Sequence, residues 1–368
     1  MKSISLDRKQ RLRDEPETGH NRFHPDIPPI VTVDEGEDVV LETRDGCDGQ
    51  LGPSTSEAAI AAMDAGAVHP LTGPVFVKGA QPGDVLEVEF VDIVPQPHGF
   101  TAIIPGLGFL RDVFNTPFLV HWQIRDGWAT SAQLRGVRIP AAPFMGVSGV
   151  APSHAQVRAW AAREQQLLGR GALVFPPDAA GAVPSQGRAA TEGLRTLPPR
   201  ENGGNMDVKQ LTKGSKLLLP VAVEGALFST GDGHFAQGDG EVCVTAVEMG
   251  ATVAVRFRVL KNAAGRAMRA PRYSHAGYFA PPEWASPRGF IAATGMPIRE
   301  DGVNDGENLT LACRNALLNM IDLLQERGWT REQAYMLCSV AADLRISNVV
   351  DVPNFVVSAI LPEEIFVK

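Results

Sequence analysis

The sequence lacks cysteine pairs, long hydrophobic runs and an apolar N-terminus, and each absence excludes a class of protein. Its four cysteines are widely spaced with no CxxC pair, so neither a disulfide framework nor a thiolate zinc site is indicated, and free thiols packed in the core are expected. No apolar run approaches the ~20 residues that span a bilayer. The charged N-terminus does not resemble a signal peptide. We therefore predict a cytoplasmic protein with no membrane partner.

Basic residues are neither abundant nor clustered. The 368 residues carry a formal net charge of -8, and phosphate backbones are held by grouped Lys and Arg side chains. A nucleic-acid partner is thereby excluded, and a small neutral or cationic ligand fits better.

Two familiar hydrolase motifs are also missing. The string nearest to a nucleophile elbow G-x-S-x-G is Gly146-Val-Ser-Gly149, whose spacing is wrong, so a serine hydrolase is disfavoured. No HExxH or similar fixed metal motif occurs.

Glycine and proline are plentiful and scattered, which is typical of short strands joined by turns. Residues 85–91 alternate apolar and acidic side chains, the pattern of a half-buried strand. The prediction is a mainly β fold with added helices and a β-sandwich-type core. Strands are expected at 39–43, 85–91, 119–125, 216–223, 241–248, 251–260 and 354–360.

The pattern changes along the chain in three parts. Residues 1–150 read as an N-terminal β-rich part, and 151–200 as an insertion with a helix at 153–168 followed by a loop or lid. Residues 201–368 read as a second β-rich part with helices at about 306–327 and 331–342, packed on the sheet. We expect one compact unit.

Two glycine-rich stretches, 199–207 and 231–241, concentrate Glu, Asn, Asp and His. Ionisable side chains are costly to bury unless they pair, hydrogen-bond or bind a metal, and glycines allow close backbone approach to a ligand. These stretches therefore predict a reaction centre.

Several uncommon strings make the chain resemble the acetamidase/formamidase family. They run nearly end to end: His69-Pro-Leu-Thr-Gly-Pro74, Gly79-Ala-Gln-Pro-Gly-Asp84, Gly146-Val-Ser-Gly-Val-Ala-Pro152, Asn202-Gly-Gly-Asn-Met-Asp207, Glu224-Gly-Ala226, Gly238-Asp-Gly-Glu-Val-Cys243 and Asp343-Leu-Arg-Ile-Ser347. The resemblance implies hydrolysis of a short aliphatic amide, or of a γ-lactam, a β-rich sandwich with added helices, and a homo-oligomer. His69 stands where Asn is usual in the family, and we group it with the candidate substrate-binding residues.

An amide is a poor electrophile, so its hydrolysis requires activated water, a polarised carbonyl and a proton for the nitrogen. A divalent metal serves the first two needs. Asp232 and His234 share one face of an extended segment, and Asp207 and Asp45 complete a candidate ligand set. The alternative is that Asp232 and His234 pair with each other to hold a tight turn.

Glu241 and Glu201 are the candidates for proton transfer, with Glu241 the first choice. A solvent-facing residue at the start of a strand is the alternative for Glu241. Cys243 lies between valines and is interpreted as a buried inert thiol rather than a nucleophile.

Asn202 and Asn205 could orient the amide, and Gly203 and Gly204 could expose backbone N–H groups to an oxyanion. The alternative for all four is a tight turn.

These observations lead to the hypothesis of a metal-assisted amidohydrolase that uses a divalent ion, Zn²⁺ by preference. Ca²⁺ as a structural ion is a further possibility. The competing hypothesis is a β-sandwich binding module whose acidic loops hold Ca²⁺ and a sugar or other small ligand.

Overall fold

A computed structural model describes residues 2–263 and 268–367. Its strands are β1 Lys2–Ile4, β2 Gly19–His20, β3 Arg22–Phe23, β4 Val31–Val33, β5 Asp38–Glu42, β6 Leu71–Val77, β7 Val85–Pro95, β8 His98–Ile103, β9 Phe118–Arg125, β10 Trp128–Thr130, β11 Arg138–Pro140, β12 Phe144–Gly149, β13 Leu194–Arg195, β14 Pro199–Arg200, β15 Gly203–Asn205, β16 Ser215–Pro220, β17 Phe228–His234, β18 Glu248–Met249, β19 Ala251–Leu260, β20 Arg272–His275, β21 Phe290–Gly295, β22 Asp343–Asn348 and β23 Val356–Pro362. The α-helices are α1 Ala58–Ala61, α2 His154–Leu168, α3 Gly187–Glu192, α4 Pro282–Ala285, α5 Leu309–Glu326 and α6 Arg331–Ala341. Short 3₁₀ helices cover Leu12–Asp14, Pro16–Thr18, Ala65–Ala67 and Glu363–Ile365.

Two large sheets form the body of the molecule. The smaller runs in the order β1-β5-β19-β7-β16-β20. The larger runs β11-β10-β9-β8-β18-β17-β12-β15-β14, and β6 pairs with β17 beside it. The long strands β7 and β19 pair antiparallel along their whole length. Burial alternates along β19, as its period-2 pattern predicts.

One hydrophobic core is shared by the two sheets. Phe228 of β17 and Phe257 of β19 meet edge to face with ring centroids 5.3 Å apart. The same buried cluster includes residues from Ile4 to Ile365. The predicted fold class, mainly β with helices packed on it, is confirmed, whereas the predicted boundaries at 150 and 200 stay predictions.

The C-terminal helices occur where their periodicity predicts them. Asn308 caps α5 through Leu311 N, and Thr330 and Gln333 form the predicted capping box of α6. The α5 helix packs on a three-stranded sheet with the order β21-β23-β22. No helix within the described residues is both long and apolar enough to cross a membrane.

The predicted strand at 241–248 is wrong over most of its length. Only its last residue is in a strand, β18. Glu241 and Val244 have φ of +42° and +86°, which break an extended backbone. The apolar run instead reflects burial of a loop, because Cys243 N donates to Ser339 Oγ of α6 and Val242 is buried in the core.

Candidate active site

Strands β17 and β18 bring three ionisable side chains together. Asp232 and His234 lie two residues apart on β17, and their side chains meet, although Asp232 has φ of +56° and interrupts the extended backbone that the spacing assumes. Glu248 of β18 pairs directly opposite His234 in the antiparallel register. His234 Nε2 lies 3.5 Å from Asp232 Oδ2 and 3.2 Å from Glu248 Oε1. All three side chains are buried.

Gln237 determines which nitrogen of His234 is free. Its Nε2 donates to the carbonyl of Asp207 over 2.8 Å, which turns its Oε1 towards His234 Nδ1 at 3.0 Å. The Nδ1–H of His234 therefore donates to Gln237, and in the neutral ring Nε2 presents its lone pair to the cluster. That Nε2 is buried and has no hydrogen-bond partner among the described residues.

Two more carboxylates, from loop residues, lie near His234. Asp207 Oδ1 lies 3.9 Å from His234 Nδ1, and Glu241 Oε1 lies 3.8 Å from His234 Nε2. Both residues have left-handed φ, +48° and +42°. Conformations of this kind are costly for residues other than glycine, Asn and Asp, and they occur most often at functional sites.

Burial and mutual repulsion shift the pKa values of the cluster. Burial raises the pKa of Asp207 to about 7 and that of Glu248 to about 8, with the charge of Asp232 adding to both. Burial, followed by repulsion from Asp207, also raises the pKa of Glu241 well above its usual range.

Asp232 and His234 are each governed by the charges around them. Burial favours neutral Asp232, but His69 and His234 outweigh it and lower the pKa of that carboxyl. Burial by itself lowers the pKa of His234, but Glu248 and Asp232 outweigh it and the pKa is raised. The basic side chains beside these carboxylates are thus imidazoles; in residues 2–263 and 268–367 no lysine or arginine forms an ion pair with them.

The donor set fits a divalent cation. Asp232, His234 and Glu248 each offer a ligand atom within 4.8 Å of the others, and Asp207, His234 and Glu241 form an overlapping set. The buried, unpartnered Nε2 of His234 and Oδ1 of Asp207 are both available to a ligand. Oxygen and imidazole donors are those preferred by Zn²⁺ and similar ions.

A cavity of about 160 Å³ opens beside the cluster. Its polar lining residues are His69, Asn205, Asp207, Asp232, Glu241, Thr245 and Glu248. Its other lining residues are mostly apolar: Gly46, Cys47, Ile60, Met63, Ala65, Val68, Ile104, Leu107, Phe175, Leu197 and Val244.

His69 and Asn205 line the cavity, and each has a hydrogen-bonding atom without a partner. The backbone N–H of His69 donates to Thr196 Oγ1 over 2.7 Å, whereas its ring Nδ1 is buried without a partner. Burial lowers the pKa of His69, which favours a neutral ring. Asn205 Nδ2 donates to the carbonyl of Leu197, and its Oδ1 has no partner in the described chain.

Glu201 does not reach the cavity. Its carboxylate accepts two hydrogen bonds from Arg163, of 2.5 and 2.7 Å, on the outside of the molecule. Arg163 lowers the pKa of Glu201 below its usual value. A carboxylate held ionised by an arginine is a poor proton carrier at neutral pH, and the structure does not bring this candidate to the site.

Asn202, Gly203 and Gly204 also lie outside the cavity lining. Asn202 Nδ2 donates to the carbonyl of Val150 over 2.6 Å. The two glycines pair with β12 opposite Gly149 and Ser148. A Cβ at Gly203, where φ is +94°, would lie 2.4 Å from the carbonyl oxygen of Ser148. This favours the alternative interpretation of the segment as close-packed backbone.

Asp45 is placed behind the cluster rather than in it. Its Oδ1 accepts hydrogen bonds from the backbone N–H groups of Cys47 and Gly49, which holds a turn. That turn presses Gly46 against Asp232, where a Cβ would lie 2.0 Å from Oδ1. Asp45 is absent from the ligand sets found among the described residues.

Glu248 and Gln237 were missed by the sequence reasoning. A glutamate at the end of an apolar run was the available signal for Glu248, but only the register of β18 against β17 places it at His234. Cys243 is buried, as predicted, and burial raises the pKa of its thiol.

Comparison with known proteins decides the family. The model of the Acetamidase/Formamidase family matches residues 5–368. The chain belongs to the acetamidase/formamidase family. As a member it is a hydrolase of carbon–nitrogen bonds other than peptide bonds.

Relatives match over nearly the whole chain. An acetamidase of Mycolicibacterium smegmatis is 35% identical, covering 91% of this chain and 88% of that protein. A formamidase of Methylophilus methylotrophus is 33% identical, covering 94% and 89%. The solved structure of a gamma lactamase from Delftia acidovorans superposes with a TM-score of 0.93 at 35% identity, covering 100% of this chain and 93% of that one. An acetamidase structure from Bacillus halodurans superposes with a TM-score of 0.56 at 27% identity, covering 94% and 95%.

Proposed function

We propose that this member of the family hydrolyses a small aliphatic amide, or a γ-lactam, to the carboxylate and ammonia or the amino acid. The observation that carries the proposal is the convergence on one small cavity of four carboxylates, two buried and two half-buried, that surround His234. The relatives named acetamidase, formamidase and gamma lactamase support the same substrate class.

We further propose that Asp232, His234 and Glu248 hold a divalent metal, with Zn²⁺ preferred. When bound, such an ion would lower the pKa of water to about 7 and polarise a carbonyl oxygen. The hydrogen bond from His234 Nδ1 to Gln237 orients the ring, as an outer partner of a metal ligand does.

Glu241 is assigned the proton transfer. Its carboxylate lines the cavity, and no lysine or arginine in the described chain pairs with it. Burial and the charge of Asp207 raise its pKa. In its ionised form this carboxylate can take a proton from water, and the neutral acid so formed can deliver that proton to the departing amide nitrogen. Asp207 lies beside it and can hydrogen-bond to it.

His69 and Asn205 are assigned to hold the amide. The unpartnered Asn205 Oδ1 can accept from the amide N–H, and the His69 ring can hydrogen-bond the carbonyl. Both groups are buried, so an amide that satisfies them is favoured over one that does not.

Ammonia release tests the proposal. Formamide, acetamide, propionamide and 2-pyrrolidinone would be supplied before and after chelation, with metal content measured in parallel, and lactam opening followed by the amino acid formed. We expect turnover with at least one of the four, loss after chelation, and recovery when Zn²⁺ is restored. No turnover with any substrate would contradict the function, whereas full turnover by metal-free protein would contradict only the metal assignment.

A further inference from the structure

Most residues that line the cavity are apolar, and these have no role in the chemistry assigned above. They come from four separated parts of the chain: 46–68, 104–107, 175–197 and Val244. Ile60 and Cys47 among them are buried. Converging apolar groups from distant segments form a wall against which a ligand, rather than water, is expected to pack.

The volume of the cavity gives a scale for that ligand. An apolar protein cavity of about 150 Å³ is known to hold benzene, a molecule of six non-hydrogen atoms. The cavity here measures about 160 Å³. Formamide and acetamide, with about half to two-thirds of those atoms, would leave the apolar wall in contact with water.

We infer that the preferred substrate is an amide with a compact apolar acyl group of about three carbons beyond the carbonyl, such as isobutyramide, and that Phe175 determines this preference. The inference rests on the proposed amide hydrolysis. The carboxamide meets His69, Asn205 and the carboxylates, while the branched alkyl group covers the apolar wall.

Phe175 is assigned as the specificity-determining residue because it is the residue that the loop between α2 and α3 contributes to the cavity lining. It belongs to the loop between α2 and α3 and lines the cavity with side chains from the body of the molecule. Leu173, two residues earlier in the same loop, is exposed and does not line the cavity. The loop thus contributes one aromatic side chain to the wall and offers a matched control.

The first experiment measures kcat/KM for formamide, acetamide, isobutyramide and phenylacetamide with the intact metal-loaded enzyme. Burial of each added carbon raises kcat/KM about fourfold, hence roughly 60-fold from formamide to isobutyramide. Phenylacetamide, which exceeds the cavity, is expected to be a worse substrate than isobutyramide. A rank order led by formamide or by phenylacetamide would overturn the inference.

The second experiment compares Phe175→Ala with Leu173→Ala. The ratio of kcat/KM for isobutyramide to that for formamide should fall about tenfold in Phe175→Ala and stay within about twofold in Leu173→Ala. An unchanged ratio in Phe175→Ala would remove this residue from specificity.

Failure of the two proposals can be told apart. If no amide is hydrolysed, the proposed function is wrong, and calorimetric binding then tests the cavity by itself. Tighter binding of isobutyramide than of formamide supports the preference, whereas equal or weaker binding refutes it.

Discussion

Glu201 and Glu241 lie in similar glycine-rich stretches but occupy opposite environments. The side chain of Glu201 is 37% exposed and paired with Arg163, whereas that of Glu241 is 15% exposed and faces other carboxylates. Arg163 lowers the pKa of the first, while burial raises that of the second. The comparison teaches that residue type and glycine neighbours locate candidates, but partner and burial decide which candidate can move a proton.

The largest effect is expected from the centre of the cluster. His234→Ala removes the imidazole that contacts Asp232, Glu241 and Glu248, so kcat should fall on the order of 10³-fold or more, together with bound metal. Amide turnover and metal analysis measure this. His98→Ala, in a histidine pair away from the cavity, is the control and should retain both. A folded His234→Ala enzyme with the kcat and the metal content of the parent would show that the cluster around His234 is not the active site.

The comparison itself is tested by Glu241→Gln against Glu201→Gln. The first removes a proton carrier at the cavity and should lower kcat about 10² to 10⁴-fold. The second removes only the charge that pairs with Arg163 and should leave kcat within about twofold. Both rates are measured on variants whose circular dichroism matches the parent. Equal decreases of kcat in the two variants would show that the different exposure of Glu201 and Glu241 does not determine which of them transfers the proton.

A smaller loss is expected at Asp343. This buried carboxylate contacts Lys209 and accepts from Asp239 N at 3.0 Å, so it ties the segment of Asp207 to the loop of Glu241. Asp343→Asn should therefore lower kcat about tenfold while changing KM less, because the proton-transfer groups shift relative to each other. Steady-state kinetics and thermal melting measure it. An equal loss of kcat in a control that only destabilises the fold would argue against positioning.

The smallest effect concerns stability at Glu201. Arg163→Ala removes an exposed ion pair and should lower the free energy of unfolding by no more than about 1 kcal/mol, with less effect at high salt. Urea unfolding at two salt concentrations measures this. A salt-independent decrease of several kcal/mol in the free energy of unfolding would show that this exposed ion pair stabilises the fold strongly.

Much of the fold was predictable because its signals are local. The alternation of β19, the cap of α5 and the capping box of α6 depend on neighbours a few residues away. The strand predicted at 241–248 was wrong because an apolar run indicates burial but not an extended backbone, and a loop packed against α6 buries Val242 and Cys243 equally well.

The candidate site was predictable only where spacing carried the information. The two-residue spacing of Asp232 and His234 predicts that their side chains meet, and they do, although Asp232 has φ of +56°. Spacing does not show which of the other candidates reach the cavity, because all of them lie near glycines. Those that line it are Asp207, Glu241 and Asn205, and those that do not are Glu201, Asn202 and Asp45.

By itself the sequence determined the class of fold, the family and the kinds of side chain available for chemistry, because periodicity and short motifs are properties of neighbouring residues. Only the tertiary structure decided which acids face His234. The pairing of β18 with β17 places Glu248 beside His234, whereas Glu201 pairs with Arg163 at the surface. Pairing and burial are set by contacts between distant segments, and those contacts fix the electrostatic environment on which proton transfer depends.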